Sequence, residues 1–370
     1  MIARVYIATR AITHINTSYI QSITPMNTRR PKILIIYTGG TIGMIEDVET
    51  GTLRPFNFDH LIDNVPKIRM LDYDIDNIQY ETPIDSSDMT IADWQTIAGY
   101  IGSNYDRYDG FVVLHGTDTM AYTASALSFM LENLHKPVII TGSQLPIGEV
   151  RTDGEENLIT ALQIAAATDH LGNPMVQEVA ILFENYLWRG NRSTKMSADN
   201  FNAFKSNNYP PLAQIGLGIQ FNVEALWRSP SRRPLDVKLN LDPAVMFIDL
   251  FPGLSPEILD HMLDTPGIKG IVLRSYGAGN APSQAWFTDA IKKAVDRDLV
   301  ILNITQCANG GIHERRYYTG DRLTRAGVVS GRDMTNEAAI TKMMYLFGLG
   351  LAPSEVRSYL SCSLCGEVTV

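Results

Sequence analysis

The chain alternates short, wholly apolar runs with longer stretches in which apolar residues recur every three or four positions, and that alternation predicts an α/β protein. Lys32-Ile-Leu-Ile-Ile-Tyr37 is the first apolar run, and it stops at Thr38-Gly39-Gly40-Thr41, as a buried parallel strand entering a loop does. Gly110 to His115 stops at Gly116-Thr117-Asp118-Thr119, Pro137 to Thr141 stops at Gly142-Ser143, and Val179 to Phe183 runs toward Arg189-Gly190-Asn191. Between the second and third runs, Ala124, Leu127, Leu131 and Leu134 fall at helical spacing, with Pro137 marking the exit. Between the third and fourth, Asp153 and Glu156 predict a capping box, and Leu158, Leu162 and Ala165 predict a buried stripe. Strands alternating with helices in this way predict a parallel sheet covered on both faces. Such sheets bind ligands beyond the carboxyl ends of their strands, where all these polar loops lie.

The pattern breaks at Asn222. Arg228-Ser-Pro-Ser-Arg-Arg-Pro234 is rich in proline and arginine and reads as an interdomain linker. A second α/β unit follows, with strands expected over 245–250, 270–273 and 299–304 and helices near 256–263, 286–295 and 336–347. The expected organisation is an N-terminal extension over 1–31, a larger domain over 32–221, a linker over 222–243 and a smaller domain over 244–370. A length of 370 residues suits two such cores. The segment Met1 to Thr24, ahead of Met26, is expected to be a loose extension or the product of an upstream start site.

Charge and cysteine content narrow the function classes. Lys and Arg number 31 against 40 Asp and Glu, a net charge of −9 that repels phosphate backbones, so nucleic acid is not an expected partner. The three cysteines, Cys307, Cys362 and Cys365, are too few for a disulfide framework, which favours a reducing compartment. Cys362-Ser-Leu-Cys365 has the spacing of a zinc or redox half-site, but no second Cys/His pair completes it, and no metal is expected. No apolar run approaches the roughly 20 residues that span a bilayer, and the first residues lack the pattern of a secretory signal. A cytoplasmic protein without membrane attachment is the expectation.

Each polar loop has an ordinary reading when taken alone. Gly39 and Gly40 allow a sharp turn and a close approach to a ligand, yet they match neither a dinucleotide fingerprint nor a P-loop. Asp118 or Thr119 would serve as the N-cap of the helix that follows, Asp85-Ser86-Ser87-Asp88 would make a turn, and Lys195 would sit in solvent. His115 reads as a satisfied residue at a strand end, because no nucleophile elbow accompanies it. Together, however, these loops from separate strand ends contain two threonines, an aspartate and a lysine, the residue types that run an activated-hydroxyl nucleophile. A threonine needs a base to take its proton, and a lysine acts as that base only if burial and neighbours lower its pKa.

At this point a resemblance covers the chain from Lys32 almost to its end. TGGTIGM at Thr38 to Met44, DSSDMT at Asp85 to Thr90, LHGTDTMAYTASALSFMLENL at Leu114 to Leu134 and RGNRSTK at Arg189 to Lys195 resemble the signature blocks of bacterial type I L-asparaginases. LRSYGAGNAP at Leu273 to Pro282 and NITQC at Asn303 to Cys307 extend it. The resemblance implies a two-domain architecture, with a larger N-terminal flavodoxin-like parallel sheet carrying helices on both faces and a smaller C-terminal α/β domain. It implies hydrolysis of L-asparagine to L-aspartate and ammonia without metal or organic cofactor. Thr41 would attack the side-chain amide and form a β-aspartyl ester, Thr117 would relay protons, Lys195 would be its base, and Asp118 would also face the substrate α-amine. Ser86 and Ser87 would bind the α-carboxylate in a loop shaped by Asp85. Backbone N–H groups near Gly40 and Thr117 would hold the oxyanion, with Gly40 and Gly116 lining the substrate site. Asn280 would reach the site of a neighbouring subunit in a homodimer or homotetramer. Thr194, Arg274 and Cys307 match an allosteric site that binds asparagine.

One departure concerns the mobile loop after the first threonine motif, where many members carry a tyrosine that assists the nucleophile. Alignment through Gly51 puts Thr52 there. Three other readings stand beside asparagine hydrolysis: a broader glutaminase-asparaginase, the tRNA-linked amidotransferase subunit, and a noncatalytic asparagine sensor. The extension is too short for the extra domain of the amidotransferase subunit, and the retained catalytic residue set argues against a sensor.

Overall fold

Alternation within the first strand decides the layers. Strand β1 (Lys32–Gly39) sends Ile33, Ile35 and Tyr37 into one core and Leu34 and Ile36 into another, each at most 1% exposed, because successive residues of a strand point to opposite faces. The computed structural model describes residues 29–46, 53–55, 65–147, 149–312 and 318–369. The extension expected over 1–31 therefore lies outside the described residues apart from 29–31, where Arg29 pairs with Asp109.

The larger sheet continues through β2 (Asp74–Ile84), β3 (Gly110–Leu114), β4 (Val138–Thr141), β5 (Val179–Phe183), β6 (Tyr186–Arg189), β7 (Ala213–Ile215) and β8 (Ile219–Phe221). Its spatial order is β8-β7-β6-β5-β4-β3-β1-β2. The five strands from β5 to β2 are parallel, in the flavodoxin-like order that reverses between β1 and β3 and places a ligand crevice at their carboxyl ends. Helices α1 (Ile91–Asn104) and α2 (Met120–Met130) cover one face and α3 (Gly154–Ala166) covers the other.

Several local expectations are corrected. Strand β2 was not legible because its polar residues leave it half-buried at the sheet edge. The three antiparallel strands β6, β7 and β8 extend the opposite edge. Helix α2 ends at Met130; Leu131–Glu132 instead pairs with Asp236–Val237, in the segment read as a linker. The Asp153–Glu156 capping box does not form. The Asp153 carboxylate accepts from the Gln144 and Leu145 N–H groups at 3.0 and 3.2 Å and from Asn157 Nδ2 at 3.1 Å. A box does form at α1, where Asp93 accepts from the Thr90 N–H and hydroxyl at 2.8 and 2.6 Å.

The second unit is a four-stranded parallel sheet in the order β9 (Val245–Asp249), β10 (Gly270–Ser275), β11 (Val300–Thr305) and β12 (Val329–Ser330). Helices α4 (Pro256–Leu263), α5 (Ala285–Asp296) and α6 (Tyr318–Arg325) lie on one face, and α7 (Asn336–Gly348) and α8 (Pro353–Leu360) on the other. Helix α2 is buried nearly all round because α7 packs on the side turned away from the sheet, with Phe129 stacked on Tyr345 at 5.9 Å between ring centroids. Among the described residues no helix is long and apolar enough to cross a membrane.

Candidate active site

The reversal of strand order between β1 and β3 brings four strand ends to one place. Gly39 and Gly40 turn the chain out of β1 with φ of 135° and 85°, a region open to glycine and strained for other residues. The Gly40 N–H donates to the Ile84 carbonyl at the end of β2, at 3.2 Å. A Cβ on Gly40 would lie 2.5 Å from the Gly116 nitrogen beyond β3, so the two backbones pass in direct contact. Thr41 opens a short 3-10 turn, half-buried, directly after this crossing. Tyr37 pins the turn from below by donating to the Gly43 carbonyl at 3.0 Å, and burial pushes its phenol pKa well above the ordinary range.

The loop after β2 closes against the loop after β3. Ser86, 2% exposed, accepts the Asp118 N–H on its hydroxyl at 3.2 Å, and its carbonyl accepts from the Thr119 hydroxyl at 2.6 Å. Ser86 therefore ties the loops together while Ser87 stays exposed, and Asp85 shapes the turn by accepting the Ser87 N–H at 2.9 Å. Thr119 occupies the N-cap position of α2, but its hydroxyl does not cap the helix. A Cβ on Gly116 would meet Ser86 Oγ at 2.6 Å, so only glycine lets these loops pack this closely.

Lys195 arrives from a different direction. After β6 the chain makes a tight turn at Gly190–Arg192, and the two-residue strand Thr194–Lys195 pairs with Phe204–Lys205. This delivers Lys195 Nζ to 2.9 Å from Thr117 Oγ1 and 2.5 Å from an Asp118 carboxylate oxygen. The Thr117 hydroxyl in turn donates to Gln144 Oε1 at 3.4 Å, a neighbour that sequence reasoning missed and that the strand-end position of Gln144 after β4 would have suggested. Asp118 remains mostly exposed and Lys195 mostly buried, with side-chain exposures of 61% and 20%, so the carboxylate faces open space where a cationic ligand group can meet it.

The remaining candidates lie farther out. Asn280 sits on the loop after β10, where its N–H and carbonyl bridge to Tyr276 at 2.8 and 2.9 Å. Thr194 and Cys307 line one cavity of about 180 Å³ together with Glu337 of α7, which accepts from the Thr194 hydroxyl at 2.6 Å. Burial raises the Glu337 pKa above the usual carboxylate range. Arg274 is not among the residues that line that cavity; it pairs with Asp249 at 3.1 Å, and its carbonyl accepts from Gln306. Thr52 lies outside the described residues. Cys365 takes part in a hydrogen bond from Asn191 Nδ2, and among the described residues no cluster of three His, Cys, Asp or Glu side chains forms a metal-binding group.

Comparison with known proteins gives a consistent picture. Residues 32–227 match the family model "Asparaginase, N-terminal", and residues 244–360 match "Glutaminase/Asparaginase C-terminal domain". The chain is 43% identical over 346 residues to L-asparaginase 1 of Escherichia coli, an alignment that covers 92% of this chain and 99% of that protein. The crystal structure of L-asparaginase I from Vibrio cholerae superimposes with a TM-score of 0.84 at 41% identity, over 92% of this chain and all of that one. The thermostable L-asparaginase from Thermococcus kodakarensis superimposes with a TM-score of 0.83 at 34% identity, over 92% of this chain and 99% of that one.

Proposed function

The chain belongs to the asparaginase family, and from that premise we propose that it hydrolyses L-asparagine to L-aspartate and ammonia through an acyl-enzyme on Thr41. The observation that carries the reading is the contact of Lys195 with both Thr117 and Asp118 beside the Gly40–Gly116 crossing, where Thr41 and Thr117 follow directly on the two touching glycines.

In this mechanism the Thr41 oxygen attacks the side-chain amide carbon as its proton passes to the base. The tetrahedral oxyanion is held by backbone N–H groups of the crossing, and because the Gly40 N–H is engaged by Ile84, the donor assigned here is Thr117 N–H. Collapse breaks the C–N bond, and the departing nitrogen takes a proton and leaves as ammonia. A water molecule then attacks the β-aspartyl ester as one of its protons passes through Thr117 to Lys195; the ester C–O bond breaks, aspartate is released, and the proton returns to the Thr41 oxygen to restore its hydroxyl. Asp118 meets the α-ammonium of the substrate and Ser87 its α-carboxylate. Ser86 and Asp85 hold the loop that presents them, and Gly40 and Gly116 keep the crossing narrow enough to form the pocket wall.

Asn280 is read as completing the site of a neighbouring subunit, in a homodimer or a dimer of dimers. The unpaired thiols Cys307, Cys362 and Cys365 suit a cytoplasmic enzyme. The cavity at Thr194 and Cys307, together with Arg274 on β10, is read as an asparagine-binding regulatory site. Its wall residue Thr194 adjoins Lys195 in the chain. Glutamine differs from asparagine by one methylene, worth about 1–3 kcal/mol of discrimination in a shaped pocket, so some glutaminase activity accompanies the main one.

Ammonia release from asparagine and from glutamine, measured on the wild type and on Thr41→Ala, tests the reading. The expected loss in turnover is at least about 100-fold, the consequence of removing a covalent nucleophile. Near-normal turnover by Thr41→Ala, or asparagine binding by the wild type without ammonia release, overturns it.

A further inference from the structure

His115, the residue before the Gly116–Thr117 peptide, is fully buried and sits in a chain of hydrogen bonds whose direction the partners dictate. The Gly116 carbonyl can only accept, so His115 Nδ1, at 2.6 Å, carries the hydrogen. Nε2 is then the acceptor, and it receives the Thr123 hydroxyl at 2.8 Å from the first turn of α2. Thr123 in turn accepts the indole N–H of Trp94 on α1 at 2.9 Å, a group that only donates. Every donor in the series points the same way, from α1 through α2 to the peptide at the active site. Burial also pushes the imidazole pKa down from 6.5 to about 4, which keeps the ring neutral and the order of donors unchanged at neutral pH.

A peptide unit is planar, with its C=O and N–H directed oppositely. Holding the Gly116 carbonyl inward, against a residue buried in the core, therefore turns the Thr117 N–H outward into the crevice between the loops. We propose that His115 is a positioning residue whose Nδ1–H, oriented by Thr123 and Trp94, aims the Thr117 N–H at the developing oxyanion. The role rests on the reading of Thr41 as nucleophile and Thr117 as the oxyanion-binding amide. It differs from general-base catalysis, because His115 touches neither substrate nor Thr41 and transfers no proton.

Asparagine and glutamine share a geometry with histidine that separates its two nitrogens. An asparagine at 115 places an amide N–H near the position of Nδ1 and keeps the donor to Gly116, whereas a glutamine places it near Nε2 and loses that donor. Steady-state kinetics with L-asparagine should show His115→Asn within about threefold of wild-type kcat. His115→Gln should lose about 10- to 100-fold in kcat with KM within about threefold, less than removal of a whole oxyanion donor costs. The kcat–pH profile of His115→Asn should superimpose on that of the wild type. Trp94→Phe, which leaves His115 in place and removes only the head of the chain, should give a smaller kcat loss of about two- to fivefold at unchanged KM. Equal activities in the Asn and Gln variants, a kcat loss matched by loss of fold in both, or a missing limb in the pH profile would each overturn the proposal. The Thr41→Ala measurement separates the two levels: an active Thr41→Ala sinks the mechanism itself, while an inactive one beside an unaffected His115→Gln sinks only the positioning role.

Discussion

Substituting Lys342 should destabilise the fold more than any surface lysine does, because its ammonium is the only cation that meets the buried Glu367 carboxylate among the described ion pairs. Both side chains are 0% exposed and stand 2.6 Å apart. Lys342 also donates to the Leu360 and Cys362 carbonyls at 3.3 and 2.5 Å. Glu367 accepts the Leu364 and Cys365 N–H groups at 2.9 Å, closing the segment after α8 into a loop around the charge. The outer side of that loop holds the turn that leads to Lys195. Asn191 donates to the Cys365 carbonyl at 3.1 Å, Arg189 to the Gly366 carbonyl at 3.3 Å and Arg192 to the Thr369 hydroxyl at 2.7 Å.

Lys342→Met fills similar volume but strands the carboxylate with neutral donors, and breaking a fully buried pair from one side costs about 3–5 kcal/mol. With a urea m value of about 3 kcal/mol/M, that is a midpoint shift of about 1–1.7 M. Adding Glu367→Gln removes the stranded charge and leaves an amide oxygen for the two backbone N–H groups. The double variant should therefore be more stable than Lys342→Met alone, by about 1–3 kcal/mol. Urea unfolding followed by circular dichroism on the wild type, both single variants and the double variant closes the cycle. A Lys342→Met shift below about 1 kcal/mol, or a double variant as unstable as the sum of the singles, would refute the argument that charge burial dominates here.

Other expectations follow from single contacts. Gly40→Ala forces a Cβ onto a residue at φ 85° and to 2.5 Å from the Gly116 nitrogen; the loops must separate, and kcat/KM for asparagine should fall at least about 100-fold, whereas a loss under about threefold would mean the crossing is slack. His115 titrates near 6.5 when unfolded and about 4 when folded, so the unfolded chain binds more protons between those values. The contribution of His115 to stability is then level above pH 6.5, falls as pH drops through the window and is about 3 kcal/mol smaller by pH 4. His115→Asn should flatten that part of the urea-midpoint profile, and an unchanged slope would place the acid sensitivity elsewhere. For regulation, the initial-rate curve in asparagine should be sigmoidal in the wild type and hyperbolic in Cys307→Ala; a wild-type curve that is hyperbolic throughout counts against the second site.

Hydrophobic periodicity alone determined a good deal of this molecule. Runs such as Ile33 to Tyr37 and Val300 to Ile304 are almost wholly apolar, because both faces of a parallel strand are covered. The ordered blocks around Thr41, Asp85, Thr117 and Lys195 likewise identified the family before any contact was known. What periodicity missed has physical causes. Strand β2 hid behind its polar edge residues, and the helix expected to run on to Leu134 stops at Met130 because Leu131–Glu132 pairs with Asp236–Val237. Asp153 looked like a cap but serves the neighbouring loop.

Proximity was decided by tertiary structure alone. Thr117 and Lys195 are 78 positions apart and meet only because the segment after β6, which leaves the sheet beside the start of β5 and not at the carboxyl end of β3, runs back along α2 to the Thr117 loop. Lys342 loses its water only because Glu367 is folded against it, and His115 reads as a satisfied strand end until Trp94 and Thr123 line up behind it. Local sequence sets the preference of each segment for helix or strand. Which charges lose their water and which amides are aimed is settled by long-range packing, since both depend on groups brought together from distant parts of the chain.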